Sequence, residues 1–284
     1  MSIQQPLTPE ASVTMAEDPP ATVSLYQQMD QASLSLDSRF RFQCHADLPC
    51  FNQCCRTPTI ILSPYDLLRL RQALGVTSGQ LLERYTRQEI EPNANLPLVF
   101  VDVRRSPEGG CPFLKAHGCT VYPHRPAACR LFPLTMGSRL TPDGVEDHYF
   151  CRRLDYCRGF TGEVEFTVAS WMADQGFPEY DQGRRAWIEI LLKAGLTERP
   201  VADAHIQDLF AALAYDLDRF RRLVFDPVFL EAYELEAEAL ADLKTDDLAL
   251  LDFSYRLLPT VLSPEGARLL TAVIRRSTRF FEID

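Results

Sequence analysis

A chain of 284 residues with 46% hydrophobic content can bury one large core or two modest ones, which excludes a wholly disordered protein. Its net charge of −10 is uneven: residues 40–158 hold 15 Lys and Arg against 11 Asp and Glu, whereas residues 159–284 hold 13 against 23, and so slight a basic excess excludes the stripe of a nucleic-acid binder. No run approaches the ~18–20 apolar residues of a membrane span, and residues 1–22, acidic and proline-punctuated, lack the basic start and apolar stretch of a signal peptide, so the reading is a soluble cytoplasmic protein with a flexible tail.

In chain order, "SLYQQMDQASLSL" (24–36) predicts a helix, and "FRFQC" (40–44) and "TIIL" (59–62) predict strands. In "SPYDLLRLRQALG" Ser63 is the N-cap, Pro64 opens the helix, Asp66 completes a capping box and Gly75 stops it. A second helix is expected over "SGQLLERYTRQ" (78–88), then strands in "LPLVFVDVRR" (96–105) and "GCTVY" (118–122). From Phe160 onward apolar residues recur three and four apart and cysteine is absent, the signature of helices. Ile206, Leu209, Phe210, Leu213, Leu217, Phe220 and Val224 fall on one core stripe, while Asp226 with Pro227 and Ser263 with Pro264 begin further helices. The fold class is therefore α+β, a small metal-stabilised cysteine-rich portion with short strands followed by a mainly α-helical one. The boundaries drawn are a tail over 1–22, a cysteine-cluster domain over 23–162 and a helical domain over 163–284.

All nine cysteines lie between positions 44 and 157, four of them in the twelve residues "CHADLPCFNQCC". An odd number of thiols in a large chain with no export signal argues against a disulfide framework. Thiolates bind zinc or iron–sulfur clusters, usually four to a centre, so this number suits two centres or one polynuclear cluster. Cys54 and Cys55 favour the same view if they lie in an extended segment, where neighbours point to opposite sides. No CxxC occurs, which disfavours a zinc finger or thioredoxin-like site, and the CxxxCxxC triplet of radical enzymes fails because its third position is Thr57. Arg125 and Arg130 lie among the cysteines, where they either support the sulfur charge or form ordinary salt bridges. His45 and His148 are read as polar surface residues. No phosphate-cradling loop, Ser/His/Asp constellation or HExxH is legible.

"CHADLPCFNQCC", then "CPFLKAHGCTVYPHRPAACRLFP", then "CRGF" resemble the cysteine-cluster family called YkgJ, a zinc- or iron-chelating domain related to the flagellin lysine N-methylase. The resemblance covers residues 40 to about 162. It implies that Cys44, Cys50, Cys54, Cys55, Cys111, Cys119, Cys129 and Cys157 are metal ligands, leaving Cys151 as a substitute ligand, a redox-active thiol or a bystander. The expected function is a metal-binding protein with an iron–sulfur or zinc cofactor, in electron transfer, metal handling or protein maturation. Its partner is another protein docking on the helical portion, with neither nucleic acid nor membrane involved. The alternatives are an S-adenosylmethionine-dependent protein lysine N-methylase and a structural zinc module for partner binding. No catalytic residue is nominated.

Overall fold

A computed structural model describes residues 33–106, 109–196, 203–233, 235–277 and 279–280. The expected tail lies outside the described residues, as does most of the helix expected over 24–36, whose end carries an isolated bridge between Leu34 and Tyr149.

The first portion is short strands punctuated by short helices. β1 (Arg39–Arg41) takes up only the start of the strand expected over 40–44. β2 (Ile61–Leu62) runs into α1 (Pro64–Leu74), where every signal read from the sequence is used: Ser63 caps, Asp66 closes the box, Pro64 opens and Gly75 ends the helix in the left-handed conformation. α2 (Ser78–Tyr85) is shorter than expected, because Thr86 turns extended and starts β3 (Thr86–Glu91). β3 pairs with β4 (Leu96–Val101), which is buried throughout and lies between β2 and β3 in one sheet. β5 (Leu114–Lys115) and β6 (Gly118–Cys119) form a tight hairpin, so only two residues of the strand expected over 118–122 are extended. After α3 (Ala127–Leu131) comes a long hairpin not anticipated from the sequence, β7 (Leu134–Thr141) with β8 (Gly144–Cys151), although Pro142, Asp143 and Gly144 are turn residues.

β9 (Glu165–Thr167) returns to β1, with Phe166 opposite Phe40. Helices follow: α4 (Val168–Asp174), α5 (Phe177–Gly195), α6 (Ala204–Tyr215), α7 (Leu217–Val224), α8 (Pro227–Ala232), α9 (Ala237–Thr245), α10 (Asp247–Val261) and α11 (Pro264–Arg276). The protein is thus α+β, with its strands before its main run of helices. The stripe over 206–224 is core, but it belongs to two helices: Asp216 leaves the helical conformation and its carboxylate accepts the Arg219 N–H to cap α7. Asp226 and Ser263 cap α8 and α11 as the sequence predicts. Among the described residues no single helix is long and apolar enough to cross a membrane; α10 and α11 meet that test only as a pair bent by 118°.

One apolar core runs through both portions. Tyr215 of α6 donates to the Pro97 carbonyl of β4 (2.9 Å) and accepts from Trp187 of α5 (3.2 Å), a buried relay that leaves no polar group orphaned. Trp171 of α4 meets Phe40, Phe42 and Phe166 edge-on, clasping β1 and β9. α1 meets α5 where Tyr65 packs against Gly183. A methyl group there would stand 2.3–2.9 Å from three carbons of the Tyr65 ring, which is itself buried. Helix propensity favours alanine over glycine by about 1 kcal/mol, but overpacking costs about 1–3 kcal/mol. Gly183→Ala is therefore expected to lower the thermal midpoint; an unchanged or raised midpoint would mean that the ring yields.

Candidate metal centre

Cys44 follows β1, and the chain beside it is held against the 159–164 segment by Phe42 N–H to Val164 O (3.1 Å) and Gln43 N–H to Gly159 O (2.9 Å). A string of tight turns leads to Cys50, and Gln53 N–H closes another onto the Cys50 carbonyl (3.0 Å). Cys54 and Cys55 then lie in a 3₁₀ turn (Gln53–Cys55) entered through Asn52 in the left-handed conformation. This corrects the extended geometry expected for the pair. Their sulfurs are 4.0 Å apart, close to the about 3.8 Å between two thiolates on one tetrahedral zinc ion.

The second cysteine block comes up against the first. Cys111 N–H donates to the Cys55 carbonyl (2.8 Å), and the approach needs glycine at 110: its φ is +88°, and a Cβ would stand 2.8 Å from that same oxygen. The β5–β6 hairpin folds Cys119 back, and α3 presents Cys129. Near the end of the segment, the Arg158 N–H donates to Cys50 Sγ at 3.1 Å.

Six of the eight implied ligands, Cys44, Cys54, Cys55, Cys111, Cys119 and Cys129, line one open cavity of about 610 Å³, along with Phe42, Phe132, Tyr122 and Trp171. Cys50 and Cys157 are within electrostatic reach of Cys44. Cys151 ends β8 opposite Leu134 and, though within electrostatic reach of Cys157, is not part of the lining. His45 and His148 stay outside too, facing Asp47 (3.5 Å) and Glu146 (3.6 Å). All nine thiols are free of disulfides.

Burial and the crowding of neighbouring sulfurs make Cys44, Cys54, Cys111, Cys119, Cys129 and Cys157 hard to ionise. Partial desolvation among its neighbours, reinforced by Cys54, Cys50 and Cys157, pushes the otherwise exposed Cys44 up to about 11. Burial likewise pushes Cys111 up to about 11 and raises Cys119, Cys129 and Cys157, while Cys54 is raised first by its contact with Cys55 and then by burial. A cation that replaces the protons relieves both penalties at once, which is how a metal selects a thiolate cluster. Among the described residues no three His, Cys, Asp or Glu side chains are already closed to metal-ligating geometry. The donor set nevertheless fits zinc or iron–sulfur, being all thiol and four or more strong. Arg152 adds to the fit: it borders the cavity, and its Nε is buried with no hydrogen-bond partner, an unpaired cationic donor beside the thiols.

The two arginines named from the sequence divide. Arg125 lines the cavity, stacks 4.0 Å from the Tyr122 ring, and its charge lowers the Cys119 thiol against the larger effect of burial. Arg130 instead is buried and donates to the carbonyls of Arg125, Gln175 and Pro123 and to the Tyr180 hydroxyl; neither thiol nor carboxylate is among these partners. Sequence reasoning missed Asp66 as a site residue. Beyond its capping bonds to Ser63, this buried carboxylate accepts the Ala127 N–H at 2.7 Å, seating the first turn of the helix that carries Cys129.

Residues 43–158 match the family model described as "CxxCxxCC: Putative zinc- or iron-chelating domain". This segment matches the cysteine-cluster family. Its chelating class agrees with the all-thiol donor set, and the match ends before β9, so α4–α11 lie outside it. The family's spacing is widened here, with five residues between Cys44 and Cys50 and three between Cys50 and Cys54. No curated protein and no solved structure matches the chain.

Cys151→Ser is expected to retain wild-type metal content, and a loss would place Cys151 among the ligands. Asp66→Ala should weaken metal retention against a competing chelator by about 10–100-fold, the range for removing a supporting partner of a metal site, with Asp66→Asn intermediate because one amide oxygen still accepts from Ala127. Equal retention in all three proteins would show that the Cys129 helix seats itself without the carboxylate.

Proposed function

We propose that the chain holds zinc or iron through Cys44, Cys50, Cys54, Cys55, Cys111, Cys119, Cys129 and Cys157 and presents the metal to another protein, in metal handling or electron transfer. The observation that carries this reading is the open cavity on which six of these thiols converge. The cavity is open to the surface, so a second protein can reach the thiols. Here Cys44 is exposed and the mouth carries Tyr122 and Tyr156, 57% and 42% exposed, aromatic surface of the kind that protein contacts use. Docking on the helical portion belongs to the same proposal, with exposed Leu196, Leu248 and Leu269 as apolar residues available there. So does a reducing, cytoplasmic setting, which suits nine free thiols. The lysine methylase alternative rests on the resemblance alone.

Anaerobic purification followed by elemental analysis and an absorption spectrum is the test. A brown protein with broad absorbance near ~400 nm identifies iron–sulfur, whereas stoichiometric zinc without colour identifies zinc, a d¹⁰ ion. Protein that carries neither metal, and takes up neither on reconstitution, would end the proposal.

A second outcome concerns stability. Structural zinc in small peptides is worth about 10–16 kcal/mol at neutral pH, and residues 44–62 hold more turns than regular structure. Chelation under reductant should therefore expose residues 44–62 and 109–129 to hydrogen exchange while α6, α7 and α10 stay protected. Loss of protection throughout would mean that the shared core transmits the collapse.

A further inference from the structure

We infer that the eight thiols form two separate four-thiolate centres, Cys44, Cys50, Cys54 and Cys157 in one and Cys55, Cys111, Cys119 and Cys129 in the other, with the boundary falling inside the Cys54–Cys55 step. This rests on the chelation reading above and deepens it, since neither the chelating class nor the resemblance says how the ligands divide.

The division follows the backbone. On one side, Gln43 N–H binds the Gly159 carbonyl (2.9 Å), which sets Cys44 beside the segment of Cys157, and Arg158 N–H binds Cys50 Sγ (3.1 Å), which sets that same segment on Cys50. Cys54 follows through the turn closed by Gln53 N–H on the Cys50 carbonyl. On the other side, the Cys111 N–H to Cys55 carbonyl bond brings those two segments together at the Gly110 approach. Cys119 returns to Cys111 across the hairpin in which Leu114 pairs with Cys119, and Thr120 N–H binds the Phe113 carbonyl (2.9 Å). Cys129 is carried on α3, whose first turn Asp66 anchors.

Each side thus assembles three thiols from its own backbone contacts and takes a fourth from the adjacent pair. Placing both Cys54 and Cys55 on one ion is sterically open at 4.0 Å, but it gives one side five thiols and leaves the other three, one short of a closed tetrathiolate. Dividing the pair completes both sides. Cys151 belongs to neither.

The test compares metal per chain, zinc plus iron, in the full-length protein purified anaerobically. Cys44→Ser and Cys119→Ser should each hold half the wild-type metal. The double variant Cys44→Ser/Cys157→Ser, both from one set, should stay at half, whereas Cys44→Ser/Cys119→Ser should hold almost none. Alkylation of the single variants gives an independent reading: Cys44→Ser should label at Cys50, Cys54 and Cys157 while Cys55, Cys111, Cys119 and Cys129 stay protected, and Cys119→Ser should label at Cys55, Cys111 and Cys129 with the first set protected. Hydrogen-exchange protection of the segment that carries the intact set, residues 109–129 in Cys44→Ser and 44–54 in Cys119→Ser, reports whether that part of each variant is folded, and either single variant suffices for the labelling result. Complete metal loss in any single variant, or label spread across both sets in a folded variant, would replace two centres with one polynuclear site. A wild-type chain without metal is a different failure, which removes the chelation reading and the division with it.

Discussion

Thiols that share a partly buried cavity cannot ionise one by one at neutral pH, because each new thiolate is poorly solvated and repels its neighbours. The raised Cys44, Cys54, Cys111 and Cys129 express that constraint. A divalent ion or a cluster removes it by supplying positive charge where desolvation makes it most effective. Everything around the cavity is arranged to hold the sulfurs near one another while they are still protonated and without mutual attraction. That work falls to backbone hydrogen bonds, a buried carboxylate and a few arginines.

Much of the scaffold comes from outside the cysteine segment. Trp171 Nε1 of α4 donates to the Leu131 carbonyl at the end of the Cys129 helix (3.1 Å), and Arg130 reaches back to the Gln175 carbonyl just before α5 (2.7 Å). Arg130 also lies 4.1 Å over the Tyr180 ring of α5, a cation–π contact made in a desolvated place. Tyr180 in turn meets Tyr65 of α1 edge-on (5.2 Å), and α1 bears the Asp66 that seats α3. The loop from Cys119 to Cys129 is thus closed into a ring of contacts running α3, α5, α1 and back to α3. The helical portion is in this sense the frame of the metal segment, which explains why one core spans both.

What the sequence makes legible follows from the range of the interactions concerned. The caps of α1, α8 and α11 were readable because a cap is settled within four residues. Clustering of the thiols was readable because composition alone carries it. The turn at Cys54–Cys55 was not, since it depends on left-handed Asn52 and on a carbonyl offered to Cys111, 56 positions away. Asp66 shows the same divide within one side chain. Its local bonds to Ser63 were foreseeable, whereas its bond to Ala127 joins residues 61 apart and belongs to the tertiary fold. Arg130 sits in a cysteine-rich string and was open to a sulfur-facing role, but a guanidinium with five fixed donors satisfies convergent carbonyls equally well. The break at Asp216 escaped periodicity because both helices keep their apolar faces to the same core.

The cavity wall sets the character of the site as much as its ligands do. Phe42, Phe132 and Trp171 present low-dielectric surface to the sulfurs, which strengthens thiolate–cation attraction and disfavours hydrated ions that prefer oxygen ligands. A tetrathiolate centre with a divalent ion keeps a surplus of negative charge, and such a wall alone would make that surplus costly. Arg125 and Arg152 border the same cavity, and Arg158 donates its N–H to Cys50 Sγ, so part of such a surplus would be met by fixed positive charge and by hydrogen bonding at the sulfurs. Those are two of the levers, together with exposure, by which a protein tunes a thiolate-bound metal. An aromatic wall bordered by cations thus raises the affinity of the enclosed thiols for a soft cation, while Cys44 stays exposed to solvent.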